Sequence, residues 1–236
     1  MQFTVQWHET LPSTNTFLKQ RVDRDPDLPE GTVVAAREQT AGRGRRGRTW
    51  DSKGENLTFS VLVRGLTDPK NAPAAAMAVA IAVAELLEAE GLQPSLKWPN
   101  DVLVSGKKIC GILSEGISGG VIIGIGLNVN MESADHIDQP ATCILIETGT
   151  RHSVDELLEK LLTHLSAHLE KWKSSGFKTL RADWEKRVEN IGQPVTVRDG
   201  DAERSGLLAG FGNDGELLLR VANGELLPIW AGDLSV

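Results

Sequence analysis

Residues Gly42 to Trp50 read GRGRRGRTW, and they set Arg43, Arg45, Arg46 and Arg48 among three glycines in seven consecutive positions. Guanidinium groups are planar forks of N–H donors that match carboxylate and phosphate oxygens. Glycines give the backbone access to positive φ and leave amide N–H groups uncovered. The rest of the chain is acidic: 25 Lys and Arg stand against 32 Asp and Glu, for a formal net charge of -7. A nucleic-acid binder spreads basic surface over a face or stripe. A single cationic loop on an anionic chain suits a compact anion instead. Such a loop can hold two mutually repelling anions at bonding distance.

Two further stretches carry chemistry. Lys97 to Asp101 reads KWPND, in which Pro99 fixes φ and Asn100 and Asp101 favour a turn. Lys97 and Asp101 flank that turn with opposite charges, and a carboxylate beside phosphates can hold Mg²⁺ through oxygen. Lys107 to Leu113 reads KKICGIL. Strand alternation sends the two lysines to opposite faces, so that one can point along a pocket. Gly111, with Gly124 and Gly126 on a later strand, allows a ligand to approach the backbone. An apolar ligand body is expected to lie on this glycine floor.

The elements that must position these residues follow from periodicity and punctuation. Phe3 to Trp7 alternates as a strand, and Ser13 or Thr14 caps a helix to about Asp23. Thr32 to Arg37 and Asn56 to Val63 are strands on either side of the arginine loop. Pro73 to Glu90 is a long helix closed by Gly91. Ser95 to Trp98, Val102 to Val104, Lys108 to Leu113 and Val121 to Val129 are strands, with a short further one expected at Cys143 to Ile146. Ser153-x-x-Glu156 is a capping box that opens a helix to about Ser174. A third helix is expected over Phe177 to Glu189. Beyond Asn190 the helical pattern ceases, and Asp199-Gly200, Asn213-Asp214-Gly215 and Asn223-Gly224 mark hairpin turns. The expectation is an α+β protein, with a mixed sheet packed with helices over residues 1–190 and a small β-barrel over 191–236.

Cys110 and Cys143 sit in apolar runs without metal-ligand spacing, which indicates reduced core residues. The N-terminus lacks the basic-then-apolar pattern of a secretory signal, and no apolar run is long enough to span a bilayer. A cytoplasmic location with no membrane partner is the corresponding expectation.

GRGRRGRTW, KWPND, KKICGILSE and GIGLNVN, in this order and at these spacings, resemble the biotin protein ligases, and the resemblance runs from Trp7 to the C-terminus. It implies a catalytic domain related to class II aminoacyl-tRNA synthetases and lipoate ligases, followed by an SH3-like barrel. The chain begins at that catalytic domain, so the expected type is monofunctional, without the N-terminal DNA-binding domain of many members and with no DNA partner. The implied reaction activates biotin as biotinyl-5'-AMP with ATP and Mg²⁺, then transfers it to a lysine of a biotin carboxyl carrier protein.

The resemblance also assigns residues. Ser13, Thr14 and Asn15 match the segment that hydrogen-bonds the ureido ring of biotin, and Gln39 lines the same site. Arg43, Gly44 and Arg45 match the loop that closes over biotin and its adenylate, and Trp50 matches an aromatic wall. Gly111, Leu113 and Gly124 complete the biotin set. Lys108 matches the lysine that touches the biotin carboxylate and the α-phosphate. The nucleotide side takes Arg43, Arg45, Arg46, Arg48, Lys97, Asn100, Asp101, Lys108 and Asn128. Lys108, Arg45 and Asp101 are the candidate catalytic residues, with Asp101 also the candidate Mg²⁺ ligand. Cys143 departs from the serine of many relatives. A lipoate or octanoate ligase on the same fold, a non-catalytic biotin-sensing module and an RNA-binding protein are the rival readings, and a homodimer is a possible assembly.

Overall fold

The computed structural model describes residues 1–52, 55–65 and 72–235. Seven strands form the main sheet: β1 (Thr4–Leu11), β2 (Thr32–Gln39), β3 (Leu57–Arg64), β4 (Pro94–Lys97), β5 (Asp101–Val104), β6 (Lys107–Ile117) and β7 (Gly120–Leu127), in the order β1-β2-β3-β7-β6-β5-β4. β1 and β2 are parallel because helix α1 (Thr14–Arg24) crosses between them; every other pair in this sheet is antiparallel.

Strand alternation splits this sheet into two unlike faces. Leu57, Phe59, Val61 and Val63 of β3 and Val121, Ile123, Ile125 and Leu127 of β7 face helices α2 (Ala72–Ala89) and α4 (Val154–Ser175). That side is the main core, and each fully buried Leu, Ile or Phe there contributes about 1.5–3 kcal/mol. α2 is wrapped on all sides, with every described residue from Ala74 to Ala84 buried, which explains its nearly continuous apolar sequence. The opposite face packs Leu18 and Val22 of α1 on Val34, Ala36, Leu62 and Ile122. Farther along, that face carries Ser60, Gly124, Gly126 and Gly111, where a side-chain layer would otherwise stand.

The C-terminal segment forms a second sheet of five antiparallel strands: β8 (Pro194–Asp199), β9 (Ala202–Phe211), β10 (Leu217–Arg220), β11 (Leu226–Ile229) and β12 (Asp233–Ser235), in the order β11-β10-β9-β8-β12. No pairing between β11 and β12 closes it among the described residues; Val236 lies outside them. Its inward residues, Val195, Val197, Leu208, Phe211 and Leu217, belong to the same buried cluster as α2 and α4. The Trp98 indole N–H donates to the Gly215 carbonyl at 3.1 Å, which fastens the second sheet to the main one.

Two expected elements differ. Cys143 to Ile146 is the start of helix α3 (Ile144–Thr148), with the Cys143 sulfur capping the Ile146 N–H at 3.4 Å. The Ile144 and Leu145 amides donate to Asn128 and Val129, so the chain makes strand-like bonds for two residues and then coils. The expected helix from Phe177 is a single 3₁₀ turn followed by α5 (Arg181–Glu185). It stops because the Arg187 carbonyl accepts from Leu96 at 2.8 Å, while its guanidinium is held by both oxygens of Glu88, at 2.7 and 2.8 Å.

Candidate active site

The bare face of the main sheet opens into a cavity of about 130 Å³, walled by the N-terminus of α1, the arginine loop, the β4–β5 turn and β12. Its floor follows from register. Gly124 and Leu113 pair in one row and Gly126, Gly111 and Asp101 in the next, with Ser60 and Thr58 of β3 continuing these rows outside the cavity lining. A Cβ at Gly124 would overlap the Asn15 amide oxygen and lie 2.9 Å from its carbon, and a Cβ at Gly126 would overlap the Trp50 indole. The three glycines make room for this chain's own side chains rather than leaving the expected open floor: Asn15 lies over Gly124, and Trp50 lies over Gly126 and Gly111.

Lys108 reaches this face through a β-bulge. Strict alternation would place Lys108 with Cys110 and Ile112 in the main core. The register shifts instead between Val102 and Leu103, so that Ile109 and Cys110 are both buried in that core. The extra residue re-aims the strand, as bulges do, and Lys108 lines the cavity. Its ammonium lies 2.8 Å from Asp101 and 5.9 Å from the centre of the Trp50 ring. Burial pushes the Cys110 thiol far above its ordinary value, so it stays a protonated core group.

KWPND is the β4–β5 turn. The Asn100 side-chain amide donates to the Ile112 carbonyl at 2.7 Å, and its oxygen accepts from Arg45 at 3.0 Å. Lys97 lines the cavity and has no carboxylate partner among the described residues. At the far end Ser13 caps α1. Gln39 accepts from the Thr14 amide at 2.8 Å, and the Ser60 hydroxyl lies 2.7 Å from Thr14 Oγ1 and 2.6 Å from Asn15 Oδ1.

The arginine loop is a small hairpin. Arg43 bridges Thr49, the Gly44 amide donates to the Arg48 carbonyl at 2.7 Å, and the tip is left-handed at Arg46 (φ 54°) and Gly47 (φ 74°). Of the three loop glycines only Gly47 uses positive φ; Gly44 is extended at φ -109°. Arg45 turns inward. Burial pulls its guanidinium below the ordinary value; Asp233 and Asp101 oppose that pull, and Arg46 and Arg48 add to it. Arg46 turns away from the cavity, to Asp199 at 2.5 Å and the Arg198 carbonyl at 3.3 Å. Asn128 is also outside: it is buried, and its side chain donates to the Thr142 carbonyl at 3.0 Å. The structure therefore does not bring these two expected nucleotide residues to the cavity.

Asp233 escaped the sequence reading. It binds Arg48 directly and lies 3.6 Å from Arg45 and 3.8 Å from Arg46. Nothing in its neighbourhood along the chain marks it, because its partners are some 185 residues away. Exposed pairs contribute about 0.2–1 kcal/mol each. Removing Asp233 is expected to loosen the hairpin by about 1 kcal/mol, which is a roughly fivefold rise in its open population. Limited trypsin digestion checks this: cleavage within Arg43 to Arg48 is about fivefold faster in Asp233→Ala, and an unchanged rate assigns the hairpin's order to its own backbone bonds.

In all, five cations (Arg43, Arg45, Arg48, Lys97 and Lys108) and two carboxylates (Asp101 and Asp233) line the cavity. It is a positive site on a negative chain, polar at the α1 end and flat along the glycines. A flat organic acid and a phosphate would both fit this pattern.

Comparisons with known proteins agree with that chemistry. The model of the biotin/lipoate A/B protein ligase family matches residues 7–132. The biotin--[acetyl-CoA-carboxylase] ligase of Paracoccus denitrificans is 35% identical over 236 residues, which cover 92% of this chain and 96% of the relative. The bifunctional ligase/repressor BirA of Escherichia coli (strain K12) is 33% identical over 234 residues, covering 96% of this chain and 72% of that protein. The structure of biotin protein ligase from Aquifex aeolicus in complex with biotin and ATP superposes with a TM-score of 0.84 at 32% identity, covering 98% of this chain and 97% of that one.

Proposed function

The chain belongs to the biotin/lipoate A/B protein ligase family, and from that premise we propose that its cavity joins biotin to ATP and then hands the activated acid to a protein. It is an ATP-dependent biotin–protein ligase, and its acceptor is a biotin carboxyl carrier protein, a subunit of acetyl-CoA carboxylase. A cytoplasmic location belongs to the same proposal, since the reaction consumes ATP.

The observation that carries the mechanism is the excess of cations in the cavity. In the first half-reaction a biotin carboxylate oxygen attacks the α-phosphorus of ATP, and pyrophosphate leaves with the electrons of the broken P–O bond. The reactants repel, and fixed positive charge stabilises the crowded phosphoryl group more than either anion alone. Lys108 exchanges Asp101 for the carboxylate and the α-phosphate. Arg45, already half desolvated, binds phosphate oxygens with both amino groups. Lys97, without a carboxylate partner among the described residues, takes the departing pyrophosphate side. Mg²⁺ arrives with ATP as its substrate complex. The described residues hold no cluster of three metal-ligating side chains. Asp101 is the residue that would offer a carboxylate oxygen to such a phosphate-borne ion, which would neutralise phosphate charge there.

In the second half-reaction the acceptor amine attacks the acyl carbon and AMP leaves. Asp101, relieved of Lys108, orients the amine and takes its proton. The ureido ring lies at the α1 end, where Thr14, Asn15 and Gln39 offer hydrogen-bonding groups and Ser60 backs them from beneath, and the apolar body lies toward Trp50. The C-terminal sheet, β8 to β12, contributes Asp233 as the clip of the arginine hairpin.

Gly124→Ala tests the floor. The added methyl displaces Asn15, and overpacking of this kind costs about 1–3 kcal/mol. Biotin affinity by calorimetry is expected to drop about 10- to 100-fold. Full affinity in this variant means that the ring lies elsewhere. The decisive test of the function is incubation with biotin, Mg·ATP and an apo carrier domain. Pyrophosphate release and a biotinyl increment on the carrier by mass spectrometry are the expected results; neither appearing refutes the reading. A melting shift with biotin and none with lipoate separates it from the lipoate branch of the family.

A further inference from the structure

Glu115 lies on β6 outside the wall of the cavity, yet it holds two residues of that wall at the α1 end. One carboxylate oxygen accepts from the Asn15 side-chain amide at 2.8 Å, and the other accepts from Arg43 at 2.8 Å. The Leu113 carbonyl, two residues earlier on the same face, accepts from the same Asn15 nitrogen at 3.2 Å. An asparagine amide can be turned either way, as donor or acceptor. A carboxylate and a carbonyl only accept, so together they hold the NH₂ group toward β6. The Asn15 oxygen is then left over Gly124, where it accepts from Ser60 at 2.6 Å and keeps a second lone pair.

We propose that Glu115 is a positioning residue. It fixes Asn15 as a hydrogen-bond acceptor for a ring N–H of biotin, and through Arg43 it ties the arginine hairpin to the ureido end of the cavity. This rests on the function proposed above. A cyclic urea has two N–H donors and one carbonyl, so a floor that presents an acceptor selects the urea by its N–H edge. A carboxylate shared by Asn15 and Arg43 also links ring recognition to the loop that covers the phosphates, without touching the ligand itself.

Glu115→Gln keeps the shape and loses the acceptor-only character, since its amide can satisfy Asn15 or Arg43 but not both in the native orientation. Steady-state kinetics with biotin, Mg·ATP and an apo carrier domain are expected to show the KM for biotin raised about tenfold, with kcat and the KM for ATP within about twofold. Asn15→Ala combined with Glu115→Gln should lose clearly less than the sum of the two single losses, because residues joined by one hydrogen bond do not add. Glu115→Asp, which retains the charge, should recover part of the loss and guards against a folding defect in the glutamine variant. A KM for biotin within about twofold of wild type in Glu115→Gln, or fully additive losses in the double variant, overturns the assignment. Calorimetry of the wild type with biotin separates the two levels: no binding there refutes the function and this inference together, whereas binding with an indifferent Glu115 refutes only the inference.

Discussion

Lys108→Ala slows formation of biotinyl adenylate by about a thousandfold, while transfer from preformed adenylate falls by less than about tenfold. The asymmetry follows from where the charge is needed. Lys108 is mostly buried, with 15% of its side chain exposed, and its ammonium lies in the cavity lining 2.8 Å from Asp101. Joining two anions there without it leaves Asp101 as an added negative charge in the same few ångströms. Loss of one preorganised charge donor in a water-poor site costs about 2.7–4 kcal/mol in the step where charge crowds. In the transfer step the acyl phosphate is already made and the attacking amine is neutral, so the same ammonium matters less. Single-turnover pyrophosphate release and mass-spectrometric transfer from synthetic adenylate measure the two halves. Equal losses in both remove the clamp.

Arg45→Gly lets the adenylate escape and biotinylate bystander lysines. Arg45 is the least exposed of the four loop arginines, at 23%, and is braced by Asn100 at 3.0 Å and by the Gly232 carbonyl at 3.2 Å. A charged hydrogen-bonding group of this kind contributes about 1.5–3 kcal/mol, so adenylate release is expected to quicken about 10- to 100-fold. A mixed anhydride that leaves before transfer reacts with any amine it meets. Labelling of an added bystander protein such as serum albumin, probed with streptavidin, should rise in the variant, while carrier labelling per adenylate made should fall. Unchanged retention of adenylate on gel filtration takes this role away from Arg45.

The arginine loop, the KWPND turn and the KKICGIL strand were legible because their composition is anomalous for their surroundings: charge among glycines, and glycines inside strands. The long helices were legible from periodicity and caps. What failed had long-range causes. The helix expected over Phe177 to Glu189 has the right pattern, and it is interrupted because Arg187 is committed to Glu88 and to Leu96. Arg46 and Asn128 carry the right chemistry for a phosphate neighbour, and the fold spends them elsewhere, one on Asp199 and one on Thr142. Asp233 and Glu115 have ordinary local contexts and were missed for that reason.

The residue types alone pointed to an anion site, because arginines set among glycines supply concentrated positive charge and strand glycines leave space beside the backbone. Three matters waited for the folded chain. The bulge at Ile109 chose which face Lys108 serves, since alternation is a local rule that one inserted residue inverts. The second sheet brought Asp233 against Arg48 across most of the chain's length. The packing of α1 and the arginine hairpin over β6 set Glu115 between Asn15 and Arg43. Contacts between segments far apart in the chain depend on how the strands pair, and pairing is a property of the whole sheet.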